Sequence, residues 1–295
     1  MSSQILRGAI DNHIHCCPHI NTRSTNIFEV VRFAEKHKMY AIGLMDNFSN
    51  TSGYASLVKK FFPKLKLKVF GGLIMEPPSG GINLENVKIS LNYSYFKNDG
   101  AKFISFPTHH TRHIAKIEKR NKNYIKNCFY IPRNGPTKET LNILNLIAKK
   151  NIVLNTGHLS GIETVNLVKA AKGIGVKKIL VPSNTFNLDI IQKLKKFNVK
   201  FEFSYFFISR ATNMPLTHVD GEKHKIQGTD ENFLKDLIKT ADPKNVILSS
   251  DCGVSVLPKP HIGFLNFIDK IRKLGFSKNE INYMIKINSK KLFNL

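Results

Sequence analysis

The sequence has no tryptophan, four cysteines in 295 residues, and 21 acidic side chains against 45 basic ones. Each shortage excludes something. Cys16 and Cys17 are adjacent, Cys128 is remote from both, and Cys252 follows Asp251, a spacing that suits reduced thiols of a cytoplasmic protein rather than a secreted disulfide framework. Cys17 and Cys252 stand near His15 and Asp251, where a thiol can act as a soft ligand or a redox-sensitive group, although small buried residues are the commoner role. No run of eighteen apolar residues occurs, and the N-terminus lacks the charged-then-apolar pattern of a secretion signal, so no membrane span is expected. Internal repeats and low-complexity linkers are lacking too. With 42% hydrophobic residues, one domain over residues 1–295 is the expectation.

The shortage of acid leaves a formal charge of +24 and a pI near 9.9. Such a charge attracts polyanions and steers anionic substrates. The lysines, however, are scattered through almost every expected helix, which points to a bias of the whole chain rather than to a nucleic-acid face. A small-molecule substrate is therefore expected, with a homo-oligomer compatible and a membrane partner not expected.

What is present is a regular alternation of short apolar runs and longer amphipathic ones. Helical spacing is expected over 26–37, 52–62, 84–96, 138–149, 162–172, 189–197, 232–240, 262–274 and 278–287. Strands are expected over residues up to His15 and over 40–45, 68–75, 101–106, 151–156, 178–181, 200–204 and 245–249. Two long polar stretches, 111–136 and 207–227, read as loops that carry specificity. About eight strand–helix units in a chain of this length are the arithmetic of an α/β fold, a (β/α)8 TIM barrel.

The chemistry collects at the carboxyl ends of those strands. The first ends in Asp11-Asn12-His13-Ile14-His15, where residues two apart share a face, so the two imidazoles project together with Asp11 beneath them. Asp46 and Asn47 end the second strand, Glu76 the third, His109 and His110 the fourth, His158 the fifth, Ser183 and Asn184 the sixth, and Asp251 the eighth. Strand starts are lysines and apolar residues instead. His13, His15, His158 and Asp251 make a nitrogen-rich set suited to Zn²⁺ and tolerable to Mn²⁺ or Fe²⁺. Such an ion lowers the pKa of water and polarises a carbonyl or phosphoryl oxygen, and Asp251 is the carboxylate placed to take the water's proton. Each residue alone has a plainer reading: His158 a hydrogen-bonded imidazole, Asp251 a turn cap, His109 and His110 entrance residues, Glu76 a partner for a lysine.

The ordered series Asp11-x-His13-x-His15-x-x-Pro18, Phe70-Gly71-Gly72 with Gly80-Gly81, Pro107-Thr108, Gly157-His158-Leu159-Ser160, and Ser250-Asp251-x-Gly253 with Pro258-x-Pro260-x-x-Gly263 resembles a family of uncharacterised metal-dependent hydrolases, a domain of unknown function in the amidohydrolase superfamily. The resemblance runs over essentially the whole chain. It implies an amidohydrolase-like metal-binding barrel, with His13, His15, His158 and Asp251 matching the superfamily's ligands on strands one, five and eight. Three departures bear on the ion count. Ser183 and Asn184 stand where the superfamily usually has a sixth-strand histidine, Met45 and Asn47 stand where relatives often have Lys and His, and Lys102 begins the fourth strand rather than ending it. One divalent ion, Zn²⁺ before Mn²⁺ or Fe²⁺, is expected rather than two, with Glu76, His109, His110 and Ser183 as neighbouring helpers. The function implied is hydrolysis of a C–N, ester or lactone bond of a small molecule. A barrel that binds a ligand or metal without turnover, and a phosphoesterase, are the alternatives.

Overall fold

Eight parallel strands run in sequential order around one sheet. They are Ile10–His15, Ala41–Met45, Lys68–Ile74, Phe103–Ser105, Val153–Asn155, Ile179–Pro182, Lys200–Ser204 and Val246–Ser249, called here the first to the eighth. The computed structural model describes residues 3–16, 18–217 and 223–295; Cys17 and part of the 207–227 stretch lie outside them. The expected (β/α)8 barrel is thus the observed one. Helices cover the outside because each carries one apolar stripe: Ile27–Lys36 buries Ile27, Val30, Val31 and Ala34, three and four residues apart. Inside, Ile10, Ala41, Phe70, Phe103, Val153, Leu180 and Ile247 meet in one cluster, joined by Leu292 and Phe293 of the last helix. The lumen is therefore packed, and chemistry is confined to one end.

Two hydrogen bonds just beyond the eighth strand bring the ring nearly to closure. Asp251 N–H donates to the His13 carbonyl at 2.9 Å and His15 N–H donates to the Cys252 carbonyl at 2.8 Å. Gly253 makes this approach feasible: its φ is +136°, and a Cβ there would meet the His15 carbonyl oxygen at 1.5 Å. The backbone contacts that seal the barrel are the same ones that fix His13, His15 and Asp251 side by side.

The structure departs from the periodicity in four places. Residues 112–127 are not irregular but hold two helices, Arg112–Ile117 and Lys122–Asn127, begun by the side chains of Thr111 and Asn121. At six residues each they are too short to show a period. The third long helix stops at Ser90 rather than Phe96. The final helical stretch is divided by a π-turn over Tyr283–Ile287. Finally, Asp11 pairs with Ile42 and Ile14 with Leu44, so three steps on the first strand face two on the second. That bulge lets the adjacent side chains of Asn12 and His13 both reach the seventh strand.

Candidate metal centre

His13 and His15 leave the bulged end of the first strand with their Nε2 atoms 3.1 Å apart. Asp251 Oδ1 lies 3.3 Å from each of them. Four-coordinate zinc with bonds of 2.0–2.1 Å separates its ligand atoms by about 3.3 Å, so the three atoms stand at the spacing of groups sharing one cation. Among the described residues these three alone form a His/Cys/Asp/Glu group with every ligand atom within 4.8 Å of the others.

The supporting contacts orient each member. Asp251 sits at φ +49°, a left-handed conformation that Asp tolerates better than most side chains but still at a cost. Ser204 Oγ donates to its Oδ2 at 3.2 Å, which aims Oδ1 at the imidazoles. Ser204 is held in turn by its N–H to Asn184 Oδ1, 3.0 Å. On the other side, His13 Nδ1 donates to Glu202 Oε1 at 3.2 Å, and Asn12 Nδ2 donates to the same oxygen at 3.0 Å. A carboxylate on the far nitrogen fixes the ring's tautomer and leaves Nε2 for an ion. Asp11 lies beneath, accepting from Ser250 N–H at 3.0 Å, its carboxyl pushed up to about 7 by burial.

Burial and charge set the protonation states. Burial alone would lower the His13 pKa, but the Asp251 and Glu202 carboxylates overcome it and raise it to about 9. Burial lowers His15 and His158 to about 4. For Asp251 burial acts upward, yet the charge on His13 and the hydrogen bond from His15 hold it at about 2. At neutral pH the cluster therefore presents one imidazolium, neutral imidazoles and a carboxylate.

Residues 8–200 match a family described as a family of unknown function, DUF6282. The chain belongs to the DUF6282 family. No curated protein matches this DUF6282 member. Among solved structures, the organophosphorus hydrolase of Deinococcus radiodurans superposes with a TM-score of 0.62 at 11% identity, over 99% of this chain and 94% of that one. An amidohydrolase from Pseudomonas aeruginosa gives 0.62 at 10% identity, over 99% and 97%. A Burkholderia multivorans amidohydrolase with bound zinc gives 0.63 at 8%, over 97% and 99%. At such identities the likeness establishes the barrel fold that these hydrolases share with the DUF6282 chain.

The other residues singled out from sequence fall in three places. His158 is half-buried and lines the same cavity as the trio, as does His109, but His158 stands outside the 4.8 Å group and comes from the far side of the barrel. Glu76 is wholly buried and does not line the cavity. Its carboxylate accepts the backbone N–H groups of Thr108, His109 and His110 at 2.7, 2.6 and 3.1 Å, pinning the loop after the fourth strand. Ser183 turns its hydroxyl onto the Val181 carbonyl at 2.7 Å away from the cavity, and His110 packs edge-on against Tyr124. Glu76→Gln exchanges a charged acceptor of three amides for a neutral one, and we expect a stability loss of about 1–2 kcal/mol, read as a lowered melting temperature; an unchanged melt contradicts the pinning.

Several residues of the DUF6282 site escaped the sequence reading. Glu202 is one, lying mid-strand between Phe201 and Phe203, both fully buried. A single acid inside an apolar strand was the available signal. His19, Asn21 and Arg23 also line the cavity, but they stand on an aperiodic loop with no such signal.

Proposed function

We propose that this protein is a metal-dependent hydrolase that cleaves a C–N, ester or lactone bond of a small molecule. The observation that carries the reading is the convergence of His13 Nε2, His15 Nε2 and Asp251 Oδ1 within 3.3 Å of one another. These three residues would hold one divalent ion, Zn²⁺ before Mn²⁺ or Fe²⁺ because the set is nitrogen-rich, with His158 as the fourth ligand. Such an ion supplies an activated water and polarises the scissile bond.

The chain's own groups do the rest. Asp251 takes the proton of the attacking water, its carboxylate oriented by Ser204. Glu202 keeps the His13 ring in register, and neutral His158 offers its free ring nitrogen to the ion from the far wall. Phe206, Phe207, Ile226 and Val254 line the cavity and limit water. Its volume of about 70 Å³ leaves room for no more than a small molecule. No helix among the described residues is long and apolar enough to cross a membrane. The buried thiols of Cys128 and Cys252 suit a reducing, cytoplasmic setting.

The test is a panel of lactones, esters and amides. Turnover that EDTA removes and Zn²⁺ restores is the expected result; turnover indifferent to EDTA, or none from zinc-loaded protein, rejects the reading.

A pH dependence follows from His13. Its proton, held to about pH 9 in the unliganded protein, must leave before Nε2 can bind an ion. Metal affinity is expected to rise about tenfold from pH 7 to pH 8 beyond what the buffer and metal hydrolysis account for, and to level off above pH 9. Isothermal titration in buffers of different ionisation enthalpy checks it by counting the proton released.

A further inference from the structure

One wall of the cavity has no part in the metal centre. It is formed by the segment after the first strand, which presents His19, Asn21 and Arg23. This segment is held in place: Arg23 bridges Val254 in an antiparallel backbone contact, Ser24 N–H donates to the Gly253 carbonyl at 2.7 Å, and Asn21 N–H donates to His19 Nδ1 at 2.9 Å. Arg23 Nη2 donates to His19 Nε2, an atom that also lies 3.5 Å from Asp46 Oδ1. Arg23 is thereby anchored to the same post-strand loop that carries Asp251.

The lining has an unbalanced charge. Among the described residues that line this cavity, Arg23 is the one permanent cation and Asp251 the one carboxylate. Once Asp251 is committed to a divalent ion, the lining carries an excess of positive charge. Asn47 also lines the cavity and adds a neutral donor, its amide nitrogen. The remaining walls, Ile74, Phe206, Phe207, Ile226 and Val254, are apolar and give little screening. A guanidinium beside apolar walls recognises a planar carboxylate well, through two parallel N–H···O bonds. A phosphate dianion would call for more donors than one guanidinium and one amide.

We propose that Arg23, assisted by Asn47, anchors a carboxylate of the substrate away from the bond that is cut, so that the substrate is an anionic lactone, ester or amide. The proposal rests on the hydrolase reading above and adds the substrate class. Arg23 is a specificity residue in this scheme, and it takes no part in bond cleavage.

The experiment compares γ-butyrolactone bearing a free carboxylate with its methyl ester, using wild-type, Arg23→Gln and Arg23→Lys protein loaded with zinc. The acid is expected to exceed the ester by about tenfold or more in kcat/KM. Arg23→Gln is expected to cut that preference at least tenfold, mainly through KM, and Arg23→Lys to retain part of it. Equal turnover of acid and ester by the wild type, or a loss in Arg23→Gln that is the same for both, overturns the anchor while the hydrolase reading stands. Should neither lactone be hydrolysed, binding of cyclopentanecarboxylate and of cyclopentanecarboxamide decides the anchor by itself. Carboxylate binding weakened at least tenfold in Arg23→Gln, with Arg23→Lys intermediate, upholds it; equal binding by all three proteins overturns it.

Discussion

Asp251→Asn is expected to lower metal-dependent hydrolysis by about 1,000-fold or more while leaving the barrel folded. The substitution is nearly isosteric, and asparagine accepts the left-handed φ of +49° as readily as aspartate. The backbone N–H that donates to the His13 carbonyl is untouched. What disappears is the negative oxygen 3.3 Å from both imidazoles, and with it a ligand charge and the base for the attacking water. His13→Ala is expected to lose the ion outright. Steady-state rates in zinc-containing buffer, with a melting curve for each variant, read both effects. Substantial activity in either variant contradicts the assigned roles.

Glu202→Gln is expected to weaken metal binding by about 10- to 100-fold, the usual cost of removing a carboxylate behind a ligating histidine. The side chain is buried and accepts from both His13 Nδ1 and Asn12 Nδ2, so the amide can keep the shape but not the charge. The Glu202 carboxylate also helps to raise the His13 pKa. Its removal therefore lets His13 shed its proton at lower pH, and the plateau of metal affinity moves to lower pH. A merely structural role would weaken binding without moving that plateau, and titrations across pH separate the two.

Much of the site was legible in the chain because strand geometry is local. His13 and His15 stand two apart before a break, and Asp251 follows two serines and precedes Gly253; residues of that kind end strands, and barrel strands end on one face. The bulge at Asn12 and His13 could not be read, since it depends on the register with Ile42 and Leu44. Glu202 was hidden for a related reason: only the inward turn of the seventh strand shows that its carboxylate meets His13 across 189 residues of sequence. The place of His158 follows from the width of the barrel, a tertiary quantity. Arg23 and His19 stand on a loop without period, so their approach to the cavity rests on tertiary contacts, the backbone bridge of Arg23 to Val254 and the bond from Ser24 N–H to the Gly253 carbonyl.

The most direct test of the account is the metal content of the untagged protein, measured on the wild type and on His13→Ala side by side after exposure to zinc and exhaustive dialysis. About one equivalent of zinc in the first and none in the second is the result it predicts. Wild-type protein that retains no zinc, or a variant that keeps as much as the wild type, would show that the imidazoles of the first strand and the carboxylate after the eighth do not share an ion.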